Sequence, residues 1–206
     1  MLPSMGGGEL VCKPATSRAE TPPVDAVRGF VFVSGMFWME RRGRLDDFVG
    51  RLPEALRERV RTLSATEWVS IDDALAVYDT CDALELSFED QLDIGRFVVL
   101  ANNGVVVNTL LRLVGKVGSP WLALEHCDSL WRRSNRGGAI AVYKINDKTA
   151  RLEYWNVPLA RSRFFTTTMR GSIAAGLEPF CSGRLVVNEL NESRRPDFFA
   201  LRITWE

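Results

Sequence analysis

The chain has 206 residues, 46% hydrophobic and 25% charged, with 26 basic and 26 acidic side chains that leave a formal net charge of zero. That balance argues against a dedicated nucleic-acid binder, which neutralises phosphates with an excess of Lys and Arg. The longest apolar run, Phe30 to Met39, falls short of the roughly 20 residues of a membrane span, and Met1 to Gly8 carries no signal-peptide pattern, so a cytoplasmic protein without a membrane span is expected.

Residues 1–23 hold Gly6-Gly7-Gly8, Pro14, Pro22 and Pro23 with no hydrophobic period. Such a segment cannot offset its ordering entropy, so it reads as a disordered tail ahead of one domain over 24–206. Phe30-Val31-Phe32-Val33 fits either a buried strand or the start of a helix, since periodicity does not separate the two. From Asp46 the spacing of Phe48, Leu52, Leu56, Val60 and Leu63 predicts an amphipathic helix interrupted at Pro53. Ser70, with Asp73 three residues on, caps a helix whose stripe is Ile71, Ala74, Leu75 and Tyr78. Ser87 and Asp90 open another in the same way.

That next helix is almost continuously apolar from Phe97 to Val107, so it is expected to be the buried spine of the fold, with Asn103-Gly104 marking a break or kink. Ser119-Pro120 then starts a helix with Leu124, Cys127 and Trp131 on one face. Beyond Gly137-Gly138 the period changes to two. Gly138 to Ile145 and Arg151 to Val157 read as a hairpin turning at Asn146-Asp147-Lys148. Phe165, Met169, Ile173 and Leu177 recur every four residues as a helix. Arg184 to Leu190 and Asp197 to Trp205 form a second hairpin, the last strand alternating Phe199, Leu201, Ile203 and Trp205. The expected class is α/β of the α+β kind, a helical layer packed on an antiparallel sheet with a C-terminal β-β-α-β-β module.

The chemistry-bearing residues are few. His126 is the one histidine, so any nucleophile–base pair has to use it, and its neighbour Cys127 points about 100° away on a helix. No catalytic residue is assigned, and a non-enzymatic protein is expected. Cys12, Cys81, Cys127 and Cys181 are irregularly spaced, without the paired ligands of a zinc site or the pattern of a disulfide framework. Cys81, His126, Cys127 and Cys181 remain an alternative metal set; the plain reading is buried thiols and a structural histidine. Gly115-Lys116-Val117-Gly118-Ser119 fails as a phosphate loop, because Leu110 stands where the upstream glycine belongs.

Asp82, Glu85, Glu89, Asp90 and Asp93 lack cation-loop spacing and suit a solvated helix start. Arg132, Arg133 and Arg136, with Arg194 and Arg195, form basic clusters suited to gripping a phosphate or an acidic partner, the first group having a helix C-terminus as its alternative explanation. Six Trp and eleven Phe exceed the needs of a core and favour a pocket or partner face, or else simply a large core. Phe97, Leu100, Val106, Leu110, Trp131, Phe165 and Met169 are its expected lining.

The ordered set Val27-Arg28-Gly29-Phe30, Trp68-Val69-Ser70, Ile94-Gly95-Arg96, Ser119-Pro120, Leu130-Trp131, Gly137-Gly138, Met169-Arg170-Gly171 and Ile203-Thr204-Trp205 resembles the myxobacterial paralogous domain family of unknown function. That family looks like a branch of a group holding the four-vinyl-reductase sensor, heme nitric-oxide-binding-like and Bet-three type transport-particle domains. The resemblance spans about residues 24–206. It implies a mixed fold, frequently dimeric, that binds small molecules or proteins in signalling or trafficking, and it carries no catalytic residues. The expectation is therefore a scaffold that binds an apolar small molecule, a protein partner or a second copy, with no cofactor. The alternative is a zinc- or heme-dependent sensor using His126 and the cysteines.

Overall fold

The structure is a computed structural model that describes residues 8–114, 119–190 and 194–206, the side chains of 103–114 excepted. Among the described residues no helix is long and apolar enough to cross a membrane.

The sheet is built as the alternation requires. Strands β5 (Ala139–Asn146) and β6 (Thr149–Trp155) pair antiparallel, and β6 pairs with β8 (Phe198–Trp205), which pairs with β7 (Leu185–Glu189). Ile140 and Val142, Ala150, Leu152 and Tyr154, and Phe199, Leu201 and Ile203 are all buried on the face that meets the helices. That single continuous apolar face fixes the register, because a one-residue slip would turn every one of those side chains to the other side.

A fifth strand comes from the segment expected to be a tail. β1 (Glu9–Cys12) adds to the free edge of β5, with Leu10 opposite Tyr143. It pairs through the backbone and buries Cys12 in the core, but four residues are too few to show a hydrophobic period, which is why a pattern search passes over it. Residues after it cross the outer sheet face, where Ala139, Ala141, Trp155, Phe198 and Ala200 form a second small cluster. The Arg18 guanidinium lies 4.2 Å from the Phe198 ring. Asn156, at φ 54°, donates to the carbonyls of Thr21 and Arg18. Gly137 and Gly138 take φ of 80° and 62°, and a Cβ on Gly137 would lie 2.1 Å from the Pro23 carbonyl oxygen.

The helical layer comprises α1 (Gly29–Arg41), α2 (Leu45–Arg51), α3 (Glu54–Thr62), α4 (Ile71–Ala83), α5 (Phe88–Val114), α6 (Pro120–Glu125), α7 (Cys127–Ser134) and α8 (Arg163–Leu177). Short strands β2 (Ala26–Arg28), β3 (Trp68–Ser70) and β4 (Asn135–Arg136) make a separate sheet at one end. The Phe30 run is helical: Phe32, Met36 and Met39 fall on one face at helical spacing, and a strand would have divided them. Ser70 caps α4 through the Asp73 amide, and Ser162 caps α8 through that of Phe165. Asp82 adds a second acceptor at the start of α8, taking the Phe164 N–H at 2.6 Å. This member of the acidic stretch therefore has a structural partner, as does Asp93, which accepts from Trp38 and Arg42.

Two expectations about α5 are corrected. Its backbone stays helical through Asn103-Gly104 to Val114, so two poor helix formers do not break a helix that packing supports. Nor is it a spine buried all round, since Leu100 is 63% exposed and Ala101 and Asn102 are exposed as well. Burial concentrates instead where α5 crosses α8. There a Cβ on Gly95 would sit 1.9 Å from the Thr168 carbonyl oxygen, and one on Gly171 2.0 Å from that of Leu92. Small residues let the two backbones approach, and Ser172 Oγ donates to the Gly95 carbonyl across the contact.

Candidate functional site

Between the helices and the sheet lies an apolar cavity of about 540 Å³, within the size range of small-molecule and cofactor sites. Its wall follows from helical stripes meeting at one place. α1 gives Phe32, Met36 and Met39, α4 gives Val77, Tyr78 and Cys81, and α5 gives Ile94, Gly95 and Val98. Ala123, Cys127 and Trp131 come from α6 and α7, Phe165 and Met169 from α8, and Ile140 from the sheet. Aromatic contacts tie these elements together. Tyr154 stacks on Phe199 at 4.1 Å, Phe199 meets Phe165 at 5.8 Å, and Phe165 meets Tyr78 edge-on at 5.3 Å.

The polar groups on this wall are mostly satisfied within the protein. Asn102 donates to Ser34 and to the Val98 carbonyl, Thr168 to the Phe165 carbonyl, and Ser134 to that of Trp131. The Cys127 thiol contacts the Ala123 carbonyl at 3.8 Å. Burial, helped by Cys12 and Asp128 nearby, pushes that thiol up to about 12. Burial likewise raises the Cys81 thiol and the Tyr78 phenol far above their ordinary values. Tyr78 is 6% exposed, and three phenylalanines pack round its ring. Arg133, exposed at the rim, offers a cation to any acidic group that reaches the mouth.

Of the residues expected to line a pocket, the structure brings Trp131, Phe165 and Met169 to this wall. Phe97 is not part of it; it stacks on the exposed Phe37 at 5.8 Å on the outer side of α1 and α5. Leu100 points to solvent. The side chains of Val106 and Leu110 lie outside the described residues. The alternative metal set is also dispersed. Cys81 and Cys127 reach the wall, whereas His126 is exposed with its Nδ1–H donating to the Leu122 carbonyl, and Cys181 is half-buried elsewhere. Among the described residues no three His, Cys, Asp or Glu side chains converge on a metal position, so a zinc site of that set is not formed. In the Arg clusters, Arg132 pairs with Asp128, and Arg194 with Glu189 and the carbonyls of Ala160 and Arg161.

Sequence reasoning missed Met36, Met39, Tyr78 and Ile94 as wall residues. Tyr78 was legible on the stripe of its helix, but a stripe says that a face is buried, not that it borders a cavity.

The chain matches no family model and no curated protein. Solved structures do resemble it, H-NOX domains among them. An oxygen-binding H-NOX domain related to soluble guanylate cyclases superposes with a TM-score of 0.58 at 13% identity, over 87% of this chain and 95% of that one. A structure from work on heme distortion in the H-NOX family gives 0.58 and 13%, with the same coverage. The Fe(II) unliganded H-NOX protein from K. algicida gives 0.55 at 11%, over 87% and 96%. At such identities the likeness establishes the fold, on the heme-nitric-oxide-binding side of the resemblance noted above, and lends no support to the myxobacterial family. It also corrects the expectation of a domain without a cofactor, because the structures that share this architecture are those of heme domains.

Proposed function

We propose that this chain is a sensor domain that binds heme in the cavity between its helical layer and its sheet, acting by binding and not by catalysis. The observation that carries the reading is the apolar cavity of about 540 Å³ at the centre of a fold shared with heme domains. The donor set suits the group. Heme iron is held in proteins by His, thiolate, thioether or phenolate, and the wall offers Tyr78, Cys81, Cys127 and the thioethers of Met36, Met39 and Met169. It offers no histidine among the described residues, so the histidine-centred version of the sensor alternative is not carried forward. Val98, Phe165 and Ile173 would hold the flat apolar body, and Arg133 would meet its acidic edge. Bound heme would supply an iron centre able to take a diatomic gas such as oxygen.

Titration of hemin into the purified protein, followed by absorbance, tests this. A saturable Soret band at one equivalent is expected. It should be lost in Gly176→Phe, which places a ring into the open space beside that wall glycine. Hemin that binds Gly176→Phe as well as the parent, or fails to bind the parent at all, removes the proposal.

A further inference from the structure

We infer that residues 13–23 are the output element of this domain, a strap whose docking on the outer sheet face is coupled through Trp131 to occupancy of the cavity. The inference rests on the function proposed above. A domain that senses by binding has to pass the event from a buried cavity to its surface, and a short route does so here. Trp131 lines the cavity from α7, and its Nε1–H donates away from the wall to the Gly137 carbonyl at 3.0 Å. Gly137 and Gly138 are the seat of the strap. The Gly138 N–H donates to the Pro22 carbonyl at 2.8 Å, and a Cβ on Gly137 would stand 2.1 Å from the Pro23 carbonyl oxygen. A Cβ on Gly138 would lie 3.3 Å from Trp131 Cζ2 and 2.7 Å from Val24 Cγ2. Wall and strap thus meet across a glycine pair. Ahead of the strap, Cys12 is buried near Cys127, the wall residue that opens the same helix.

The strap itself is lightly held. Residues 15–20 are exposed, and its middle is tied down by the Asn156 side chain and by Arg18 over the Phe198 ring. Segments with so little buried apolar contact open locally, well below the free energy of global unfolding, so a small bias shifts their docking. The cavity side of the Trp131 ring gains contact partners when the cavity is filled. That fixes the indole, and with it the bond to Gly137 on which the strap's seat depends, and favours the docked strap. By linkage, the docked strap raises affinity for the ligand by the same factor.

The test is amide hydrogen exchange of the whole protein with and without saturating hemin, in the parent and in Trp131→Phe, which keeps a ring at the wall and loses the bond to Gly137. The reporters are the Glu20, Thr21 and Val24 amides, which donate to the Ser17 and Asn156 carbonyls. Hemin should slow their exchange about fivefold or more in the parent, the low end of ordinary coupling between sites. Any ligand slows exchange that proceeds through global unfolding, so the control is another exposed segment, the turn at Gly43, which lies off the wall and should be unchanged. Trp131→Phe should bind hemin without slowing the strap, while the strap set against the Gly43 turn within the parent needs no variant to fold. Strap exchange unaltered by bound hemin, slowed no more than at Gly43, or slowed as much in Trp131→Phe as in the parent overturns the coupling and leaves heme binding standing. A parent that takes up no hemin overturns both.

Discussion

Replacing Gly95 or Gly171 by Ala is the sharpest test of how the cavity is held. The added methyl would meet backbone: 1.9 Å from the Thr168 carbonyl oxygen for Gly95, and 2.0 Å from the Leu92 carbonyl oxygen, with Leu92 C at 2.9 Å, for Gly171. Ordinary contact begins at 3.4 Å, so α5 and α8 must part by well over an ångström. No flexible side chain is available to give way. Overpacking a tight core costs about 1–3 kcal/mol, and more where backbone must move. The helix-propensity gain of Ala over Gly returns roughly 1 kcal/mol. Because both methyls meet backbone, the cost lies at or above the top of that range, so the net loss should be about 2 kcal/mol or more for either variant, a fall in Tm of about 4–8 °C or more for a domain of this size. Gly176 lies on the same helix as Gly171 but has no atom within 4 Å of its Cβ position, so Gly176→Ala should gain about 0.5–1 kcal/mol. Urea unfolding monitored by tryptophan fluorescence measures all three. Gly95→Ala or Gly171→Ala as stable as the parent, with Gly176→Ala no better than either, would refute the close crossing.

Other outcomes follow from the same packing. Phe165→Ala removes a ring that joins the sheet to α4 and should cost about 3–5 kcal/mol in the same unfolding assay. Asp128 is buried, accepts from the Ile140 N–H at 3.3 Å and pairs with the exposed Arg132, so Asp128→Ala should cost about 1–3 kcal/mol by orphaning the buried amide. The Cys127 thiol titrates near 9 when unfolded and about 12 when folded, so the neutral thiol's contribution to stability is fully present below pH 9. It declines as the pH rises from 9 toward 12, and denaturation at stepped alkaline pH should show a shallower decline in Cys127→Ala. Asn156→Ala removes both the side-chain bonds to the Arg18 and Thr21 carbonyls and an Asn suited to φ 54°. Limited proteolysis should then cut within residues 13–23 faster than in the parent.

Local chemistry written in the sequence carried directly into structure. Ser70 with Asp73, Ser119 with Pro120 and the alternation of Phe199, Leu201 and Ile203 determined where two helices begin and which way the last strand faces, because caps and pleats are satisfied by neighbours a few residues away. Whether the Phe30 run was strand or helix, and that Glu9–Cys12 would be a strand at all, depended on partners far along the chain: the stripes of α4 and α5 for the first, the open edge of β5 for the second. The site was the least legible part. Trp131, Phe165 and Met169 could be picked as large apolar residues on helical faces, yet Leu100 has the same credentials and lies in water. Hydrophobic period reports that a face seeks burial. Only the crossing of α5 and α8, set by two glycines against backbone, decides which faces close on each other and which leave a cavity.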